Sequence, residues 1–117
     1  MQNPEKKHIR QFRVDGDVFP EGKEPERCDV LLLNDTDRQS YYVELKGTDI
    51  PKAVRQIEST ISLINPSINY TIYCRIVVHR ARTHKIKDRS VVAWQNKRKG
   101  RTKIQSTSML DRIEKVK

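Results

Sequence analysis

Asp29-Val-Leu-Leu-Leu33 is followed by Asn34-Asp-Thr-Asp-Arg-Gln-Ser40 and then by Tyr41-Tyr-Val-Glu-Leu-Lys46-Gly47. Two apolar runs flank a polar stretch rich in Asn and Asp, which is the pattern of a β-hairpin. Three charged residues, Asp29, Glu44 and Lys46, interrupt the apolar runs. Side chains alternate across a strand, so the pattern puts Glu44 and Lys46 on one face and Val43 and Leu45 on the other. Asp29 opens the neighbouring strand and can lie beside them. Charges at the edge of an apolar sheet are costly to bury unless they are paired or hold a metal. The stretch therefore reads as the organising hairpin and as a candidate site.

The flanking segments extend this hairpin into a sheet. Thr48-Asp49 is a helix-start signal, with Pro51 in the first turn, where its missing N–H costs nothing. Ala53, Val54, Ile57, Ile61 and Ile64 recur at helical spacing. Their stripe is expected to pack on the Val43/Leu45 side, and Asn65-Pro66 to end the helix. Residues 70–79 are dense in β-formers and read as a buried central strand. Strand, helix and strand in succession imply a right-handed crossover and parallel pairing. Upstream, Ile9, Phe12 and Val14 suggest a short strand, Asp15-Gly16-Asp17 a turn, and residues 18–27 a loop. Beyond a basic connector at 80–89, Val91-Val-Ala-Trp94 reads as a short strand. Asn96-Lys-Arg-Lys-Gly-Arg101 reads as an exposed basic turn and residues 102–107 as its returning strand. Ser108 opens a short helix with Met109, Leu110, Ile113 and Val116.

The 117 residues fit one domain, 1–117, with one core. No apolar run reaches the length of a membrane span, and Gln2-Asn-Pro-Glu-Lys-Lys7 is not a signal peptide. The expectation is a soluble, cytoplasmic protein. Cys28 and Cys74 have no CxxC spacing and are expected to be buried free thiols, with a disulfide between them left open. The net charge of +9 is uneven. Residues 75–117 carry 14 Lys/Arg against 3 Asp/Glu, whereas residues 1–74 are slightly acidic. Such asymmetry points to a polyanionic partner, with nucleic acid the leading candidate.

Two carboxylates at the end of a hairpin supply oxygen ligands for Mg²⁺, which prefers one or two carboxylates plus waters and substrate phosphate. The Leu45 carbonyl, between Glu44 and Lys46, can join them. A lysine on the same face can orient the attacking water and stabilise the transition state electrostatically.

Cys28-Asp29-Val-Leu-Leu-Leu33 followed by Tyr42-Val-Glu44-Leu-Lys46-Gly47 resembles the PD-(D/E)XK phosphodiesterase superfamily, which includes restriction endonucleases, Holliday junction resolvases and DNA-repair nucleases. The resemblance covers residues 27 to about 80. It implies an α/β fold with a restriction endonuclease-like three-layer core, a mixed central sheet flanked by helices in αβββαβ order. The basic C-terminal hairpin and short helix would be added to it. It implies that Asp29 and Glu44 are the metal-binding acids for Mg²⁺ or Mn²⁺, that Lys46 is the catalytic lysine, and that Gln56 is the polar residue often found on the following helix. The chain departs from the pattern at Cys28, where many members have Pro, and shows no acid-bearing helix before the first strand; Glu21, Glu24 and Glu26 are the nearby substitutes.

Arg75, Arg80 and Arg82 can line one phosphate-binding face, joined by Lys97, Arg98, Lys99 and Arg101 of the basic turn. Trp94, beside that turn, reads either as a core anchor or as a platform for an unpaired base. The expected function is metal-dependent hydrolysis of a nucleic-acid phosphodiester, DNA ahead of RNA, with a homodimer as one way to address two strands. Two alternatives stay open: an inactive nucleic-acid-binding module of the same fold, and an interaction protein in which Asp29, Glu44 and Lys46 form only a structural ion cluster.

Overall fold

A computed structural model describes residues 6–20, 26–47, 49–78 and 88–106, with the side chains of Lys46, Gly47 and Ser106 left out. The hairpin forms as β2 (Val30–Asn34) and β3 (Gln39–Gly47), antiparallel, with Leu31 opposite Tyr42 and Leu33 opposite Ser40. Asn34 makes the turn. Its side chain accepts from the Asp37 N–H at 3.1 Å and donates to the Asp37 carboxylate at 2.9 Å, and Arg38 takes a left-handed φ of 56°. An Asn that bonds its own backbone a few residues on is the local chemistry of such turns.

Strand β1 (Ile9–Arg13) pairs antiparallel with β2. The chain then folds sharply at Val14–Val18, where Gly16 has φ 106°, a conformation open to glycine at no steric cost. Helix α1 (Ile50–Ile68) starts at Asp49, whose side chain accepts from the Lys52 N–H at 3.1 Å. Its buried stripe holds Ile50, Ala53, Val54, Ile57, Thr60, Ile61 and Ile64. Pro66 does not end it. The helix runs through to Ile68 and closes at Asn69, which is left-handed and donates its N–H to the Asn65 carbonyl at 2.7 Å. In the last turn proline removes one intrahelical bond, and the left-handed cap supplies the real stop.

β4 (Thr71–Val78) lies parallel to β3, as the crossover pattern requires. Residues 91–94, read from sequence as a strand, are instead part of α2 (Arg89–Lys97). Asp88 caps it, accepting from the Ser90 N–H at 2.9 Å, and Val91 and Trp94 are buried three residues apart. The run Val-Val-Ala-Trp is too short for apolar identity alone to distinguish strand from helix, and the cap decides it. In consequence β5 (Thr102–Ser106) is not the return of a hairpin. It pairs parallel with β4 after a second crossover. The expected basic hairpin is therefore a helix, a basic turn and a parallel edge strand.

The five strands lie in sequence order, β1 to β5. Right-handed crossovers in one direction are expected to put both helices on one face. The buried cluster agrees: it joins Leu31, Leu33, Tyr42, Cys74, Ile76 and Val78 of the sheet to the stripe of α1 and to Val91 and Trp94 of α2. The described residues thus form two layers of an α/β fold, and the third layer expected from the resemblance is not among them. The face beneath α1 is also the opposite of the one expected. Ser40, Tyr42 and Glu44 point into the core, whereas Val43 and Leu45 are on the open side. Tyr41-Tyr-Val is apolar on both faces, so alternation alone could not choose. The pairing of Tyr42 with Leu31, against the helix stripe, does. The short helix from Ser108, the connector with His79 and His84, and Glu21 and Glu24 lie outside the described residues.

Candidate functional site

Asp29 stands just before β2 and is exposed, and Glu44 lies on the core face of β3 with 8% of its surface exposed. Three main-chain bonds hold Asp29: its N–H donates to the Val43 carbonyl at 3.1 Å, its carbonyl accepts from the Val14 N–H at 2.9 Å, and its carboxylate accepts from the Leu45 N–H at 2.8 Å. Glu44 is opposite Ile76 in β4 while Gly47 is opposite Val78, so β3 carries one residue more than its partner there. A bulge of this kind bends the strand and re-aims side chains. On the β2 side the Leu45 N–H turns to the Asp29 carboxylate. Lys46 is at the bulge, and its side chain lies outside what the structure describes.

Helix α1 fixes the residues that lead into Asp29. Thr60 takes a polar place in the apolar stripe, fully buried; its hydroxyl accepts from the Cys28 N–H at 2.8 Å and donates to the Gln56 carbonyl at 2.7 Å. Gln56 donates its amide to the Arg27 carbonyl at 3.4 Å. Gln56 thus serves the strand entry. Thr60 was missed by sequence reasoning, although a hydroxyl inside an otherwise apolar stripe was the available signal. Arg27 is itself buried, paired with Asp15 at 2.8 Å and lying over the Phe19 ring at 4.8 Å. Together these contacts anchor the turn after β1 against the start of β2. An open cleft of about 410 Å³ lies here, lined by Arg13, Asp15, Cys28, Asp29, Val30 and Leu45.

The electrostatics of the pair are asymmetric. Burial pushes the Glu44 carboxyl up to about 8, and the neighbouring Asp29, by its charge and by a hydrogen bond between the two carboxyls, pushes in the same direction. One Glu44 oxygen, Oε1, is buried with no hydrogen-bond partner. Lys52 acts on this carboxyl by its charge, in the opposite direction and more weakly than burial and Asp29. Among the described residues no group of three or more His, Cys, Asp or Glu converges, so the site offers two carboxylates. That number suits Mg²⁺ or Mn²⁺, which need few protein ligands, and it does not suit a closed zinc site. Cys28 also lines the cleft, but burial pushes its thiol up to about 12, and Cys74 likewise. Both are free, buried thiols with little nucleophilic character at neutral pH.

The basic residues divide. Arg75 lies over the rings of Tyr41 and Tyr73, which are stacked at 4.8 Å, and donates to the Cys74 carbonyl. Lys97 and Arg98 turn to Glu58 of α1 rather than to the carboxylate pair; Arg98 bonds both Glu58 oxygens, at 2.9 and 2.6 Å. Trp94 is buried and donates its indole N–H to the same carboxylate at 3.1 Å, so it is a core anchor. Lys99 and Arg101 are exposed. Arg80 and Arg82 lie outside the described residues. No family model, no curated protein and no solved structure matches the chain.

Proposed function

We propose that the chain is a metal-dependent nuclease with a restriction endonuclease-like core, hydrolysing a phosphodiester of nucleic acid. The observation that carries this reading is the buried Glu44 oxygen without a hydrogen-bond partner, beside Asp29, which itself lines the cleft. Its support from topology is the order of elements: three antiparallel strands, a helix and a parallel strand, with Asp29 before the second strand and Glu44 on the third. That is the βββαβ part of the αβββαβ order the phosphodiesterase resemblance implies; the first helix of that order is not among the described residues. Asp29 and Glu44 would hold Mg²⁺ or Mn²⁺, with the Leu45 carbonyl as a third oxygen. The ion, when bound, supplies Lewis acidity and a more acidic water. Thr60 and Gln56 hold Asp29 in place through residues 27 and 28, and the Leu45 N–H orients its carboxylate. Lys46 is assigned, by the resemblance, to orient the attacking water. DNA is preferred to RNA as the substrate, and a homodimer would address two strands.

Calorimetric titration with Mg²⁺ and with Mn²⁺ tests the site. Binding is expected for the native chain and is expected to be lost in Asp29→Asn and in Glu44→Gln. The proton on Glu44 competes with the ion, so affinity should rise by up to about tenfold per pH unit below pH 8 and level off above it. Cleavage of labelled oligonucleotides should then require the metal and fail in both variants. Metal binding that survives in Glu44→Gln would sink the assignment. A second reading, an inactive binding module, is favoured by the presence of only two carboxylates. It predicts salt-dependent binding without cleavage under either metal.

A further inference from the structure

The face of the sheet opposite the helices is composed for contact. Register places Arg13, Val30, Val43, Arg75 and Lys103 in one row across all five strands. The next row runs Gln11, Leu32, Tyr41 and Tyr73. Among the described strand residues on this face none is Asp or Glu, while Arg13, Arg75 and Lys103 are cationic. Tyr41 and Tyr73 stand parallel at 4.8 Å with 17° between their planes, neither of them fully buried. Gln39 fixes both hydroxyls: Tyr41 donates to its carbonyl oxygen at 3.3 Å, and its amide donates to Tyr73 at 3.4 Å. The guanidinium of Arg75 lies 5.3 and 6.0 Å from the two ring centres. The β5 edge extends the positive rim, with Arg101 and Lys103 exposed.

Rigid aromatic rings bordered by cations, with the adjoining acids Asp17 and Asp37 paired to Arg13 and Lys7, match an unpaired nucleic-acid strand. Its bases offer π-faces and its phosphates offer charge. The smooth helical surface of a duplex presents no free base to the rings. A second copy of this chain is a poorer occupant, since it would bring Arg13, Arg75 and Lys103 against like charges. The row also leads to Asp29, because Arg13 and Val30 line the cleft with it.

We propose that the open face of the sheet binds single-stranded nucleic acid, its bases stacked at Tyr41 and Tyr73 and its phosphates on Arg13, Arg75 and Lys103, and leads it into the Asp29 cleft. The delivery rests on the nuclease reading; the binding stands apart from it. The test is fluorescence anisotropy with a labelled oligothymidylate of about 16 nucleotides, and with a duplex of equal length, in EDTA so that no cleavage intervenes. The single strand is expected to bind at least tenfold more tightly than the duplex. Tyr41→Leu and Tyr73→Leu, which keep apolar bulk, should each weaken it by about tenfold or more. Lys103→Glu on the edge strand, away from the core, should weaken it and reduce its dependence on salt. Circular dichroism establishes that each variant is folded. Equal affinity for duplex, or single-strand affinity unmoved by all three substitutions, overturns the proposal. So does a dimer in sedimentation that Arg75→Glu dissociates, because the face would then belong to a second copy. Single-strand preference without cleavage in Mg²⁺ supports this surface while removing the nuclease reading, so the two can fail separately.

Discussion

Glu44 sits where its charge is unwelcome. The ordinary glutamate value is 4.5, and burial, helped by Asp29, raises the folded-state value to about 8. The folded chain therefore keeps a proton that the unfolded chain gives up. Below about pH 4.5 both states are protonated and no cost arises. Between about 4.5 and 8 stability falls as pH rises, and above 8 the loss is complete. A shift of this size corresponds to a loss on the order of a few kcal/mol. Urea unfolding at a series of pH values should show this decline in the native chain and a flat profile for Glu44→Gln over the same range. Saturating Mg²⁺ should recover the lost stability at pH 8, because a ligand of the folded state adds its binding free energy. A native profile as flat as that of the variant would mean that Glu44 is solvated. Thr60 makes a second case. Thr60→Val removes the acceptor of the Cys28 N–H and leaves a buried donor unpaired, at a cost of about 1–3 kcal/mol. Thr60→Ser keeps the hydroxyl and should keep most of that stability, and chemical denaturation of the pair tells whether the hydroxyl or the methyl matters.

At the scale of elements, α1 and α2 meet through one carboxylate. Glu58 accepts from Trp94, Lys97 and Arg98. Burial would raise its carboxyl, but the bonds from Arg98 and Lys97 prevail and hold it below the usual value. The three donors are not equal. The Arg98 side chain is 15% exposed and that of Lys97 is 65% exposed. Glu58→Ala leaves the arginine charge largely buried and unpaired, and should cost about 3 kcal/mol. Lys97→Ala removes a solvated pair and should cost less than about 1 kcal/mol. Equal losses for the two, measured by denaturant unfolding, would show that burial does not set the value of these bonds. The same carboxylate explains why two cations of the basic turn are engaged within the fold rather than held out to a phosphate.

At the scale of the molecule, one apolar cluster among the described residues joins α1 and α2 to the sheet. Ile57, fully buried at its centre, should lose about 2–5 kcal/mol as Ile57→Ala. Trp94 is the single tryptophan of the chain and lies on α2, whereas Ile57 lies on α1. Tryptophan fluorescence and far-ultraviolet circular dichroism should therefore report one coincident transition, shifted equally by the substitution. Separate transitions would mean that the helices do not share a core. Among the described residues both helices pack on the face opposite the rows of Arg13 and Tyr41, and at the β4–β5 end of those rows' own face Val77 and Gln105 are buried.

Local chemistry determined much of this from sequence. The Asn34 turn, the Asp49 cap, the stripe from Ala53 to Ile64 and the β-rich run of residues 71–78 act over a few residues, and each formed where its pattern placed it. Asp29 and Glu44 came together because a hairpin pairs its own two ends. The chemistry of that pair was less legible. Whether Tyr42 and Glu44 or Val43 and Leu45 faced the core depended on which residues of β2 and α1 they met. The bulge after Glu44 arose from the pairing with β4, thirty residues on. Residues 91–94 carried equal apolar signals for strand and helix, and the cap and the β4–β5 pairing settled them. The burial that raises Glu44, the Thr60 bond to Cys28 and the open aromatic face depend on residues far apart in the chain. They exist only once the sheet has closed against its helices, because solvation and long-range pairing are properties of the packed molecule and not of any local stretch.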